Sequence, residues 1–133
     1  MALFLFTRAI LEGRPIDVFN YGQSLRDYTY IDDICEGIIR VLDKPPVQDG
    51  KPPFAVYNIG NHHPVKLLDF IDAIETKLGM EAKKNLLPMR ACDVPATYAD
   101  IDDFIAQFNY HPSTDYRVGV SNFIDWYRTF YNM

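Results

Sequence analysis

Arg26 and Asp93 are the side chains in this sequence whose types and settings point most directly to chemistry. Arg26 opens the run Arg26-Asp27-Tyr28-Thr29-Tyr30-Ile31-Asp32-Asp33, which reads as a short strand leading into a helix capped by Asp32. Gly22 and the polar loop from Tyr21 to Ser24 lie just before it. A guanidinium held at the mouth of a rigid element is a planar fork that binds two phosphate oxygens at once. The segment Leu87-Pro88-Met89-Arg90-Ala91-Cys92-Asp93-Val94-Pro95 carries a second arginine, Arg90, and Asp93 three residues later. In such a loop an arginine reaches phosphate, and an ionised aspartate accepts hydrogen bonds from two sugar hydroxyls. Ile16-Asp17-Val18-Phe19 reads as a strand whose backbone can pair with the edge of a base. Val56-Tyr57-Asn58-Ile59-Gly60 reads as a strand ending where a backbone can approach a ligand. Together these pieces suit a nucleoside diphosphate.

Each residue also has a plainer reading. Arg26 can pair with Asp27 or Asp32 on a surface, and Asp93 can be a turn-forming carboxylate. His62 and His63 are adjacent on a loop, so their side chains diverge, and no cysteine or carboxylate cluster joins them at ligand spacing. They read as a solvated pair, and no metal site is expected. Asp100, Asp102 and Asp103 favour a helix start through the dipole rather than hold a divalent ion. Cys35, beside Ile34 in a helix, reads as packed core, and nothing marks Cys92 as a nucleophile. Phe123, Trp126, Tyr127 and Phe130 are rich enough to bind a ring, but their helical spacing reads as core.

Composition limits the classes. With 133 residues the chain fits one domain, here expected over 1–133, and 48% hydrophobic content argues against disorder. A formal charge of −5 argues against a nucleic-acid partner. Two cysteines are too few for a disulfide scaffold, which suits a reducing, cytoplasmic setting. Met1 to Phe6 is apolar but lacks a basic lead and an Ala-x-Ala site, so it is not read as a signal peptide. No run approaches the ~20 apolar residues of a membrane span. An apolar helix with no lead-in suggests the continuation of a larger fold.

The elements that must position these residues follow from periodicity. Helices are predicted over Ala2 to Glu12, Asp33 to Leu42, Leu67 to Leu78, Ile101 to Phe108 and Asp115 to Tyr131. Ile34, Ile38, Val41 and Leu42 are expected to face inward from the second, Gly79 to close the third, and Asp100 to cap the fourth. Strands are predicted at Asp17 to Phe19, Arg26 to Ile31, Ala55 to Ile59 and Asn85 to Leu87. The region from Pro45 to Pro53 reads as a loop. Strands alternating with helices argue for an α/β fold.

The ordered set of these pieces resembles the C-terminal, substrate-binding portion of the NAD-dependent nucleotide-sugar epimerases and dehydratases, which are extended short-chain dehydrogenase/reductases. The carrying stretches are Ala9-Ile10-Leu11-Glu12-Gly13 with Pro15-Ile16-Asp17-Val18, then Arg26 to Ile34 with Asp43-Lys44-Pro45-Pro46. Tyr57-Asn58-Ile59-Gly60-Asn61, Leu87-Pro88-Met89, Asp93-Val94-Pro95 and Thr97-Tyr98-Ala99-Asp100 complete them. The subgroup they are most similar to is UDP-glucuronate 4-epimerase. The resemblance implies the C-terminal part of a Rossmann-type fold. It implies that Arg26 holds the pyrophosphate of a UDP-sugar, that Val18 and Phe19 border the uracil, that Arg90 supplies a second phosphate contact and that Asp93 takes the ribose hydroxyls. A Pro-Gly pair commonly precedes that aspartate in the family, and this chain has Ala91-Cys92 instead.

For the complete enzyme the resemblance implies NAD, with oxidation at C4, rotation of the 4-keto sugar and re-reduction. The family's Gly-rich turn and its Tyr-x-x-x-Lys pair are not found in these residues. No catalytic and no cofactor-binding residue is therefore assigned, and the NAD-binding domain is expected to lie outside the chain. A partner is expected: the missing NAD-binding half or a second copy. A stand-alone UDP-sugar module, an inert fragment, and 4,6-dehydratase or decarboxylase chemistry in the parent enzyme stay open.

Overall fold

A computed structural model describes residues 2–47, 50 and 52–133. The chain opens in helix α1 (Ala2–Leu11), which buries Thr7, Ala9 and Ile10. Gly13, at φ +66, turns the backbone out of it. Strand β1 (Ile16–Val18) follows, with Ile16 and Val18 inward and Asp17 outward. Short strand β2 (Leu25–Asp27) leads to helix α2 (Ile31–Asp43). Strand β3 (Pro64–Lys66) runs into helix α3 (Leu67–Leu78), which ends at Gly79 in the left-handed region. Strand β4 (Lys84–Leu86), helix α4 (Asp102–Phe108) and helix α5 (Tyr116–Phe130) complete the order.

Pairing is sparse and local. β1 and β4 are parallel, with Asp17 opposite Asn85, and β2 and β3 are antiparallel, with Arg26 opposite Val65. β2 has a second neighbour. The Leu25 amide donates to the Pro95 carbonyl at 2.9 Å, and Leu25 accepts from Thr97 at 3.1 Å. The segment carrying Asp93 is thereby tied alongside the strand carrying Arg26.

The main core joins α1, β1, α3 and α5 through Ile10, Val18, Ile71, Ile74, Val120 and Ile124. α3 is its hub, packed against both α5 and α1. A second cluster joins α2 and α4 through Ile101, Phe104 and Phe108, with Val41, Tyr57 and Ile59 against it. A Cβ on Gly37 would lie 3.1 Å from Ile59 and 3.2 Å from Phe104, so glycine lets α2 approach this cluster.

Several expectations need correcting. Asp32 is not the cap of α2. Tyr30 holds that position without a side-chain bond, and Asp32 and Asp33 sit in the first turn, where the dipole favours carboxylates. Asp33 also accepts from the Thr114 amide at 2.9 Å and its hydroxyl at 3.0 Å, pinning α2 to the lead-in of α5. Ile38 and Leu42 are exposed, as is Cys35. Their periodicity is real, but nothing among the described residues covers that face.

Residues 55–59 form no ladder with a strand among the described residues; Asn58 donates its side-chain amide to the Asp100 carbonyl at 3.0 Å. α4 starts at Asp102 rather than Ile101, although the Asp100 carboxylate still accepts from the Asp102 amide at 3.2 Å. Asp115 does cap α5, accepting from the Arg117 amide at 2.8 Å. Phe130 projects outward, so the aromatic cluster of α5 is only partly core.

Candidate ligand-binding site

β1 delivers the chain to a sharp turn at its C-terminal end. Asn20, Tyr21 and Gly22 all have positive φ, at 51°, 49° and 77°. Left-handed non-glycine residues cost about 1–2 kcal/mol each. Three hydrogen bonds hold the turn: the Tyr21 amide donates to the Leu87 carbonyl, the Gln23 amide to the Asn20 carbonyl, and the Asn20 side-chain amide to the Ser24 hydroxyl. Gly22 packs so closely on Leu68 that a Cβ would sit 2.4 Å from its Cγ. The turn sends the ring of Phe19 into a cavity of about 390 Å³, within the usual range of small-molecule sites.

That cavity lies at the edge of the main core. α1 supplies Phe6, the turn Phe19, β2 Arg26 and Asp27, and the 93–97 segment Asp93 and Thr97. Asp17 and Tyr28 also line it. Arg26 and Asp93, remote in sequence, therefore share one cavity. The Arg26 guanidinium is half-buried, and its Nη1 donates to the Leu25 carbonyl at 2.7 Å. Among the described residues it pairs with neither Asp27 nor Asp32, which leaves its charge facing the cavity. The Asp93 carboxylate accepts no hydrogen bond from a described residue. Asp17 accepts from the Asn85 side chain at 3.1 Å.

The other expected residues sit differently. Val18 is fully buried in the core, and its carbonyl accepts from the Leu87 amide at 3.0 Å. Its place is to anchor the strand; it does not line the cavity. Arg90 does not line it either. Its guanidinium lies 3.7 Å from the centre of the Phe19 ring, a cation–π contact that stiffens Phe19.

Sequence reasoning gave no site role to Asp17, Asp27, Tyr28 or Thr97. Tyr28 stacks on Phe70 at 3.9 Å between centroids, and burial pushes its phenol up to about 12 against a smaller downward pull from Arg26. A larger apolar cavity of about 750 Å³ adjoins, sharing Ala2 and Tyr28 and lined by Phe70, Tyr116, Phe123 and Trp126. His62 is engaged locally: Nδ1 meets the Ala99 carbonyl at 2.8 Å, so it carries the proton and Nε2 accepts from the Tyr98 hydroxyl. Among the described residues no three His, Cys, Asp or Glu side chains gather as a metal site, and no helix is long and apolar enough to cross a membrane.

Comparison with known proteins places this arrangement. The sequence model of the NAD dependent epimerase/dehydratase family matches residues 1–60. Similarity continues well past that stretch: a probable UDP-glucuronate 4-epimerase of Rhizobium meliloti is 39% identical over 96% of the chain and 41% of its own length. Residues 1–60 carry this family's domain, and likeness to its members runs over nearly the whole chain.

An Escherichia coli O111:H- protein known only as an uncharacterized 37.6 kDa protein is 50% identical over the whole chain and 43% of its own length. The crystal structure of UDP-glucuronic acid 4-epimerase from Bacillus cereus in complex with UDP-glucuronic acid and NAD superposes with a TM-score of 0.83 at 29% identity, over 98% of this chain and 40% of that one. The fold is thus the α/β fold of the Rossmann-type extended short-chain dehydrogenase/reductases. The chain spans about a third to two-fifths of the length of the relatives it matches.

The described residues do not fit NAD. A dinucleotide turn needs glycines between a strand and a helix N-terminus, open for a pyrophosphate. Here Gly22 faces Leu68, Gly37 faces Ile59, Gly60 faces Ala99 and Gly119 faces Tyr30. Gly13 and Gly79 are open but follow helix ends.

Proposed function

We propose that this chain is the substrate-binding portion of a UDP-glucuronate 4-epimerase-like enzyme and that the 390 Å³ cavity takes the UDP part of a UDP-sugar. The observation that carries this is the meeting of the unpaired Arg26 guanidinium and the open Asp93 carboxylate in one cavity. Arg26 holds the diphosphate through charge-assisted bonds, and Asp93 accepts from the ribose hydroxyls. Phe19 borders the uracil, Val18 fixes the strand that presents it, and Arg90 adds positive charge beside the ring. The likeness to a B. cereus enzyme bound to UDP-glucuronic acid and NAD supports the substrate class.

The reaction of the complete enzyme is C4 epimerisation, and its oxidation and reduction belong to an NAD-holding portion outside these residues. What this portion supplies is a firm grip on the unchanging nucleotide, so that the hexose alone is free to turn. The NAD-holding portion also covers the exposed face of α2. Two free cysteines suit a cytoplasmic setting.

Calorimetry with UDP and UDP-glucuronate tests the reading on the 133-residue chain. Micromolar binding, weakened at least tenfold by Arg26→Ala (about 1.4 kcal/mol or more), is expected. No heat at millimolar ligand overturns it and leaves an inert fragment. In the complete enzyme, loss of C4 epimerisation with gain of dehydration or decarboxylation overturns the assigned reaction.

A further inference from the structure

The geometry points to Asp27 as the positioning residue that sets the spacing between Arg26 and Asp93. Among the described residues its carboxylate makes no ion pair with Arg26 and instead accepts backbone amides from two other segments. Oδ2 accepts from His62 at 3.1 Å and from Ala99 at 3.1 Å, and Oδ1 accepts from His63 at 3.4 Å. Its own amide donates to the Thr97 hydroxyl at 3.2 Å. One side chain thereby joins β2, the 60–63 loop and the 93–99 segment. Arg26 is its neighbour on the first, and Asp93 and Thr97 ride on the last.

A second observation carries the same point. Gly60 meets Ala99 so closely that a Cβ there would lie 2.3 Å from the Ala99 Cβ and 3.2 Å from Asp27 Oδ2. Glycine is required at residue 60 because the two segments that Asp27 draws together leave no room for a side chain. The two part-buried amide donors at 3.1 Å carry most of this hold, with the 3.4 Å contact from His63 weaker, and leaving them unmet is costly. The spacing of the cavity's cation and anion is therefore decided by a residue that need not touch the ligand.

This inference rests on reading the cavity as a diphosphate-and-ribose site, and the test separates the two. UDP titrations are run on wild type, Asp27→Ala, Asp27→Asn, Arg26→Ala and the Asp27→Ala/Arg26→Ala pair, with circular dichroism confirming the folded fraction of each. Asp27→Ala is expected to weaken UDP about tenfold. Asp27→Asn, whose amide oxygen can keep the His62 and Ala99 bonds, is expected to restore most of that. In the pair, Asp27→Ala adds less than about twofold to the loss from Arg26→Ala, because spacing ceases to matter once the cation is gone.

Gly60→Ala is expected to weaken UDP as well, and Gly60→Ala/Ala99→Gly to recover it by removing the clash. This pair keeps the test decisive if Asp27→Ala fails to fold. Wild-type binding with unchanged affinity in a folded Asp27→Ala, full additivity in the pair, or no recovery in the Gly60 pair overturns the inference alone. A wild type silent to millimolar UDP overturns the cavity reading and this inference with it.

Discussion

The two hydrophobic clusters differ in how completely they close. The main core surrounds α3, whose Ile71 and Ile74 are fully buried beneath α1 and α5. The second cluster buries Phe104 as fully, but its helix α2 is covered on one side only. Leu42 on α2 is 73% exposed, and in the 52–60 segment Val56 is 75% and Phe54 80% exposed. The cavity lies at the edge of the first cluster, so the part of the molecule that holds Arg26 rests on the more completely buried core. The second cluster leaves apolar side chains exposed among the described residues, and it carries none of the proposed ligand contacts.

Deleting core volume separates the clusters most sharply. Phe104→Ala is expected to cost about 3–5 kcal/mol and Ile74→Ala about 2–5 kcal/mol. Hydrogen exchange should show where each loss falls. Ile74→Ala lowers protection throughout, whereas Phe104→Ala lowers it in α2 and α4 and leaves α3 protected. Equal loss in α3 from both would show one cooperative unit and erase the contrast. The turn beside the cavity comes next. Gly22→Ala combines a φ of +77 with a contact on Leu68, and denaturant unfolding should register a loss of about 1–3 kcal/mol.

Tyr28 gives a pH signature on the closed side. Its folded pKa of about 12 lies above the ordinary 10.0, so its contribution to stability is fully present below pH 10. That contribution is lost as pH rises through about 12. Burial also raises Tyr110 and Tyr116, so ultraviolet titration of the phenolates should show a late-ionising group of tyrosines that includes Tyr28, and Arg26→Ala should move Tyr28 later still by removing its one downward influence. Ionisation of every tyrosine near pH 10 would mean that the Tyr28–Phe70 stack is open. The smallest effect belongs to the open side. Leu42→Ala is expected to change unfolding free energy by no more than about 0.5 kcal/mol while reducing apolar-dye binding. A larger cost would mean that Leu42 is already covered in solution.

Periodicity made all five helices legible to within two residues at each end. α3 runs from Leu67 to Leu78 as its pattern requires. Strands were less legible because three-residue ladders carry no pattern of their own. β3 begins at a proline beside two histidines, while the apolar run 55–59 has the composition of a strand but no strand partner among the described residues. Pairing depends on what lies alongside. In the site, Arg26 and Asp93 were legible from their settings and from resemblance. Asp27 was not, because a carboxylate next to an arginine reads as its ion partner until the distant amides it binds are known.

Composition, apolar spacing and turn residues were enough to specify an α/β chain, its principal helices and a short list of charged groups suited to a nucleotide, because these follow from forces acting between near neighbours along the chain. Tertiary packing alone decided that Arg26 and Asp93 share a cavity, that Val18 belongs to the core, that Arg90 rests on Phe19 and that one face of α2 stays open. Each of those outcomes depends on segments far apart in sequence meeting at contact distance, and no local preference encodes such a meeting.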